Sequence, residues 1–365
     1  MNVVKRISAA AMVILLCLSF AGCHKKDETA VTVDGVKFTS AYYMCALIYA
    51  DMEARSIVEE NLDEEKATDD IKYYTHKVEK TDYVKWVEKK ALSHLKQVAA
   101  FKNLCKKNDL KLDENALAYA EQYAAYYWGS GYSTYFEPNG VSQATYTQYT
   151  KDGYYSARYF EFLYGEDGDK EIAADAIKAK MDESFVLVDK IDVTFSEETD
   201  EEKAAVKEKF DGYVAALNDG SMTFEQVYIA HNGEETPEEE TAEETESEEL
   251  KPLDKRATVL GAQGTGYESE QYDVAKAMAI GEVKLIEPEG GTGLNLIVKL
   301  DIDADPYYLK NLDMTLRHLI ADEEYEKDME KYAGKLEFTV NKYATGQFKV
   351  KKIKVPETQS QAPQA

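Results

Sequence analysis

Apolar residues recur along this chain with two different periods, and the changes of period divide it. Tyr43, Leu47, Ala50, Ala54 and Ile57 step at three and four residues, the spacing of one helical face. Thr39 or Ser40 is placed to cap that helix. Val84, Val87, Ala91, Leu95 and Val98 repeat the pattern in a second helix, opened by Thr81 or Asp82 and running to about Asn108. Leu117, Ala120, Tyr123, Ala124 and Tyr127 give a third, starting near Asp113 and stopping at Gly129, and Ser142 caps a fourth that runs to Gly165. Helices joined in this way predict a small antiparallel bundle. The polar stretch Asn61 to Lys80 reads as loop. Ahead of the helices, Val31-Thr-Val33 and Val36-Lys-Phe38 flank Asp34-Gly35, a strong hairpin signal because a type I′ turn needs positive φ at both central positions.

The period changes at Phe185. After a short helical stretch from Lys170, residues Phe185 to Phe195 form one apolar strand. A charged helix from Thr199 to Asn218 follows, then Gly220 to Val227, the glycine-rich Leu260-Gly-Ala-Gln-Gly-Thr-Gly-Tyr267, a short helix around Tyr272 to Ala279, Gly281 to Pro288, and a closing strand, Gly293 to Leu300. This order predicts a small α/β unit on an antiparallel sheet. The glycine-rich turn is not a nucleotide loop: no Lys-Ser/Thr follows its glycines and no βαβ unit surrounds it. Between His231 and Lys251, residues Glu234 to Glu249 hold ten glutamates, no lysine or arginine, and Pro237. Such a segment cannot bury enough apolar surface to fold, so a disordered acidic insertion over 233–250 is expected. His231, just before it, is expected to be solvent-exposed on a loop.

Beyond Asp301-x-Asp-x-Asp305, which lacks the glycine and terminal glutamate of an EF-hand loop and reads as a helix-entry turn, a helix runs from about Tyr307 to Gly334. Leu309, Leu312, Leu316, Leu319 and Tyr325 share its apolar face, and Leu336 to Val340 alternates as a strand. Lys349 to Lys354 is basic and alternating, and residues 356–365 form a polar tail.

Charge and composition narrow the function. The chain carries a formal net charge of −26, which repels nucleic acid and anionic lipid headgroups. Lys5 and Arg6 precede an apolar run from Ile7 to Phe20, and Ala21-Gly22 lead into Cys23. This is a secretory signal over residues 1–22. Two more cysteines, Cys45 and Cys105, fall on different helices; they are expected as buried free thiols, with a disulfide as the alternative in an oxidising compartment. Twelve tyrosines lie between Tyr119 and Tyr164. Most are expected in the core and at wet helix interfaces. The excess over what four helical stripes require suits sequence-tolerant contact with exposed polypeptide, and Tyr126, Tyr127, Trp128, Tyr132 and Tyr135 are the client-binding candidates.

Several of these features together resemble known secreted proteins. Small residues before Cys23 resemble a bacterial lipobox, with Phe20 where that pattern usually has leucine; the resemblance makes Cys23 the lipid-bearing mature N-terminus, anchored on the extracytoplasmic face of the cell membrane. The segment from Phe185 to Ile302 resembles a parvulin-type peptidyl-prolyl isomerase domain, and its flanks resemble the helical arms of PrsA- or SurA-type foldases. The resemblance implies an α+β fold: a lipoprotein signal peptide at 1–22; a helical chaperone arm at 23–184; the parvulin-like unit inserted at 185–302; and a C-terminal helix and strand at 303–355 returning to the arm. Parvulins carry two histidines facing each other across the sheet beneath a proline pocket. Here Asp192, in Asp192-Val-Thr-Phe195, and Asn295, in Gly293-Leu-Asn295, stand at those positions, with Tyr272 and Met278 in the pocket-lining segment. An Asp192–Asn295 hydrogen bond across the sheet would keep the fold without the imidazoles.

The reading is therefore a membrane-anchored foldase or chaperone binding newly secreted unfolded polypeptides, with weak or absent isomerase activity. It needs no cofactor and no metal, and has no nucleic-acid partner. An active parvulin-type isomerase and a solute- or glycan-binding surface lipoprotein are the alternatives.

Overall fold

The computed structural model describes residues 28–62, 71–195, 199–233, 256–288, 290–346 and 348–356. The signal segment, Cys23, the glutamate-rich run from Glu234 to Glu249 and the end of the tail lie outside them. In chain order the elements are β1 (Thr29–Val33), β2 (Val36–Thr39), α1 (Ser40–Glu60), β3 (Lys77–Val78), β4 (Thr81–Asp82), α2 (Tyr83–Lys107) and α3 (Glu114–Tyr127). Next come α4 (Ser133–Phe136), α5 (Gln143–Tyr164), α6 (Ala174–Ser184), β5 (Phe185–Thr194), α7 (Asp200–Asn218) and α8 (Phe224–Asn232). The rest are β6 (Thr258–Gly261), α9 (Tyr272–Ala277), β7 (Val283–Ile286), β8 (Gly293–Leu300), α10 (Pro306–Gly334), β9 (Phe338–Val340) and α11 (Lys342–Thr345). Helices with small antiparallel sheets make this an α+β protein. The chain divides into an end unit, built from the residues up to Leu163 and from Glu323 onward, and a middle unit, Tyr164–Asp322.

In the end unit, Asp34 and Gly35 take φ of 43° and 81° and turn β1 onto β2 as the Asp-Gly pair predicts. Thr39 Oγ1 accepts from the Tyr42 amide and starts α1. β9 pairs antiparallel with β1, so the sheet order is β2-β1-β9 and both chain ends share one sheet. Leu47, Ala50, Ala54, Val87, Ala91 and Leu95 are buried as the helical periods require. Trp86, which those stripes omit, is buried with them, and its indole N–H donates to Glu79 at 2.9 Å. The expected cap at Thr81 or Asp82 does not form: both residues sit in β4, and Asp82 precedes α2 without a side-chain cap bond. Gly129 does not stop α3. The helix widens through a π turn, Trp128–Tyr132, in which Gly131 alone takes positive φ, at 124°.

One carboxylate ties three helices of this unit together. Asp152 of α5 is buried and accepts from Tyr42 Oη of α1 at 3.1 Å, Lys102 Nζ of α2 at 2.8 Å and Gln148 Nε2 at 2.9 Å. Burial and the Asp152 charge both push the Tyr42 hydroxyl upward, so it stays a donor. Asp51 does similar work on α1, accepting from Tyr83 Oη at 2.9 Å and Arg55 Nε at 2.8 Å. Cys45 and Cys105 are both buried and free; burial raises both thiols, Cys105 to about 11.

The middle unit is a four-stranded antiparallel sheet, β6-β5-β8-β7. Side chains alternate across it. Ile191, Leu294 and Leu296 point to the face covered by α7 and α8, around Phe210 and Val227. Val186, Val188, Leu260 and Ile297 point to the other, under Tyr272, Ala275 and Met278 of the α9 region. Both α7 and α8 begin with complete capping boxes, Thr199 with Glu202 and Thr223 with Gln226. The α6 residues Ile177 and Met181 pack with Phe185, Leu312 and Leu316. On α10 the buried position falls on Tyr308, whereas Leu309 is partly exposed, one residue off the expected stripe. The acidic run before α10 is the entry turn expected: Asp301 caps a short 3-10 turn and Asp305 Oδ1 accepts from the Tyr307 amide.

Candidate functional site

Two surfaces follow from the sequence: the sheet face of the middle unit at the paired-residue positions, and the tyrosines of the end unit.

On the sheet, Asp192 of β5 lies directly opposite Asn295 of β8, and Asn295 is opposite Ile286 of β7. Opposed residues share a face, and this is the face that α9 covers farther along. The structure thus brings Asp192 and Asn295 together, as the resemblance implied. Their environments differ. Asn295 is buried. Asp192 is exposed and its carboxylate pairs with Lys190 Nζ at 2.6 Å, two residues back on the same face. The expected Asp192–Asn295 bridge is replaced by this Lys190–Asp192 pair, because a carboxylate at the rim gains more from an ammonium in water than from a neutral amide below it. Lys190, Lys284 and Ile286 complete this face; two-residue alternation from Asp192 would have found Lys190, while the β7 residues depend on register. Beside Asp192 and Asn295 this face carries the ammonium groups of Lys190 and Lys284, with that of Lys299 farther along, and no imidazole stands on it among the described residues.

Tyr272 and Met278 are core, not pocket wall. Both are buried against Val186, Val188 and Ile297, and Tyr272 Oη donates to the Glu183 carbonyl of α6, with burial pushing its pKa up so that it stays protonated. Lys299 Nζ donates to the Lys276 and Met278 carbonyls at 3.0 and 2.7 Å and closes the end of α9. A cavity of about 170 Å³ lies beside these lysines, walled by Asp182, Phe185, Leu187, Ile280 and Asp303. It sits at the start of β5, five residues and so roughly 17 Å along the strand from Asp192. His231 is not on an exposed loop. It closes the last turn of α8, half-buried edge-on to Phe210 at 5.0 Å between ring centroids. Burial, then Lys209, lowers its basicity.

In the end unit the tyrosines sort into two stripes. Trp128, Tyr132 and Tyr135 are buried with Phe136 and Tyr146, which corrects their assignment to a client-binding surface: the π turn rolls them inward. Tyr127 is half-buried against Tyr132 and Tyr123. Tyr126 is 70% exposed, and with Tyr119 (61%) and Tyr123 (38%) it forms an outer stripe on α3. Tyr154 of α5 continues the stripe by an edge contact with Tyr119. Tyr123 therefore belongs to the outer face rather than to the helix core. The signal was present in the sequence: Tyr119, Tyr123 and Tyr126 step by four and three among Glu121, Gln122 and Ser130, whereas Ala120 and Ala124 mark the inner face.

No helix among the described residues is long and apolar enough to cross a membrane. No protein-family model matches the chain, and no curated protein does. Solved structures that match include the foldase protein PrsA from Streptococcus pneumoniae, 11% identical, covering 66% of this chain and 80% of that one with a TM-score of 0.38. The foldase protein PrsA from Lactococcus lactis is 13% identical and covers 88% of this chain and 99% of that one, also with a TM-score of 0.38. The chain is thus similar in structure to PrsA foldases at low identity.

Proposed function

We propose that this chain is an extracytoplasmic, lipid-anchored chaperone that holds newly secreted, unfolded polypeptides, with a parvulin-like unit kept as a scaffold. The observation that carries this is the sheet register: Asp192 and Asn295, which the parvulin resemblance sets at the histidine positions, face each other, and Asp192 is engaged by Lys190. An X–Pro peptide bond crosses a barrier of about 20 kcal/mol, which an enzyme lowers by binding the twisted amide better than the planar one. A charged pair at the rim favours hydration and works against the dry cup that step needs. Polypeptide holding asks for less: exposed, rigid aromatic area such as Tyr119, Tyr123 and Tyr126, whose rings offer contact at small cost in side-chain entropy. Cys23, outside the described residues, is the proposed lipid attachment site, and its acyl chains would keep the protein at the membrane.

The test takes the soluble chain from His24 to Ala365 through two assays, proline isomerisation on X–Pro peptides and aggregation of an unfolded client. Suppressed aggregation with background isomerisation is the expected result. Isomerisation well above background that drops in Asp192→Ala or Asn295→Ala would instead make this an active isomerase. Labelling with a radioactive fatty acid, lost in Cys23→Ser, checks the anchor.

A further inference from the structure

The third strand of the end-unit sheet has an open edge. β1 and β9 are antiparallel with Val33 opposite Phe338 and Val31 opposite Val340. The Asp34 amide donates to the Glu337 carbonyl at 3.0 Å and the Asn341 amide to the Ala30 carbonyl at 2.8 Å. These bonds fix the alternation: Glu337, Thr339 and Asn341 turn their backbone groups toward β1, so Phe338 and Val340 turn theirs away from it. Among the described residues nothing pairs with them, since the sheet order β2-β1-β9 ends at β9. Two N–H groups and two C=O groups therefore face outward at the strand spacing.

The side chains agree with the backbone. Val31 and Val33 are fully buried, and Phe338 and Val340 continue the same face outward at 43% and 41% exposure. The apolar face of the sheet thus runs one strand beyond its cover. Natural edges are commonly blunted by lysine or proline on the strand itself; β9 carries Phe-Thr-Val instead. Charge is added around it. Lys96 Nζ sits 4.8 Å from the Phe338 ring centre, and the exposed Lys335 and Lys342 bracket the strand; the nearby acids are Glu337 on the strand, and Asp34 and Glu28 on the β1 side. In a chain of net charge −26 three lysines lie around this strand, with the acids Asp34 and Glu28 on its β1 side.

We propose that β9 is a strand-addition site for an extended polypeptide segment with apolar residues at alternate positions and acidic residues between them. The incoming backbone pairs with Phe338 and Val340, its apolar side chains extend the Val31–Val33 face over Phe338, and its carboxylates meet Lys96, Lys335 and Lys342. This deepens the polypeptide-holding reading above by naming a second, main-chain contact and a preferred client sequence.

The experiment uses the full soluble chain and fluorescence anisotropy with three labelled, end-capped peptides: alternating valine and glutamate, alternating valine and lysine, and a copy of the first with prolines at the positions facing β9. Binding of the glutamate peptide that weakens with salt, a weaker lysine peptide, and loss of binding by the proline copy are expected. Val340→Pro removes one outward donor while leaving the bonds to β1, and Phe338→Ala removes the apolar lip; each should weaken binding by about tenfold. Trp86 and Trp128 emission verifies that each variant is folded, and if Val340→Pro unfolds the unit, Phe338→Ala and the proline copy still decide. The proposal fails if the glutamate peptide does not bind, if the variants bind it equally, if the proline copy binds as well, or if sedimentation shows a dimer that Phe338→Ala dissolves, which would give the edge to a second copy. Aggregation suppression is measured in parallel. Suppression retained with unchanged peptide binding in the variants overturns the edge alone, whereas peptide binding without suppression leaves the edge standing and overturns the holding function.

Discussion

The buried Lys102–Asp152 pair should contribute measurably to the stability of the end unit. Asp152 keeps 4% of its side-chain surface in water and Lys102 30%. Replacing Lys102 by methionine keeps the stem beside Tyr155, where the ammonium sits 5.7 Å from the ring centre, and removes the charge. The carboxylate is then left buried with Tyr42 and Gln148 as its remaining donors. Breaking a fully buried ion pair from one side costs about 3–5 kcal/mol. Lys102 is partly hydrated already, so the expected loss is about 2 kcal/mol. Asp152→Asn keeps the shape, gives up the charge and forces one amide proton toward donors, for about 1–2 kcal/mol. The two changes share a partner, so the double variant should lose about 2 kcal/mol rather than the sum of the singles. The assay is urea unfolding followed by tryptophan emission. Both tryptophans, Trp86 and Trp128, are buried in the end unit, so the signal reports that unit alone. A Lys102→Met loss below about 0.5 kcal/mol, or strictly additive losses, refutes the argument that burial makes this pair matter.

Three further outcomes are expected. Phe210→Ala, at a fully buried ring under Leu294 and Leu296, should cost the middle unit about 3–5 kcal/mol; tyrosine near-UV circular dichroism on melting would show a lower transition with tryptophan emission unmoved. Gly293→Ala should be nearly as costly, because an added Cβ would lie 2.1 Å from the Val193 carbonyl oxygen, a backbone atom that cannot step aside; hydrogen exchange of β5 and β8 amides should accelerate. His94, half-buried on α2 with Nδ1 unpaired among the described residues, is lowered by burial first and then by Lys90, against Glu53. Its folded value lies below the unfolded one, so the unfolded state takes up the proton first. The stability it guards is present above the ordinary histidine range and is lost as pH falls through that range toward the lowered folded value. His94→Gln should flatten that acid limb in the tryptophan-detected curve, and an unchanged limb would remove His94 as its cause.

Much of the architecture was legible because local signals and burial agreed. The Asp34-Gly35 turn, the caps at Thr39 and Ser142, the helix starts at Asp113 and Thr199 and the strand Gly293–Leu300 all stand where the residue patterns put them. The Asp192–Asn295 register was legible too, since the ends of both strands were marked. What the pattern could not show was which aromatic faces inward. Tyrosine satisfies either side of a helix, and the π turn at Trp128–Tyr132 shifts the phase of everything after it. Past that irregularity Tyr132 and Tyr135 are buried with Trp128, whereas Tyr119 and Tyr126 lie before it on α3. Partner choice at the rim was equally hidden: Asp192 prefers Lys190 over Asn295, a matter of hydration rather than of spacing. The half-burial of His231 depends on Phe210, a contact formed across two helices that the sequence separates.

The sheet of the middle unit tolerates change at its exposed rim. Its register is held by eight paired positions between β5 and β8 and by apolar packing on both faces, and neither Asp192 nor Asn295 supplies that packing. A residue at the rim is free to change sign and size at little cost to the fold. Catalysis has no such tolerance, because groups acting on a twisted amide need to stand within about 0.5 Å of their productive place in a dry pocket. Binding by an exposed tyrosine stripe or an open strand edge tolerates variation, since each contact adds area or main-chain bonds whatever the client's side chains. On the proposed holding function, client preference should follow the exposed Tyr119, Tyr126, Phe338 and Val340 rather than the presence of proline.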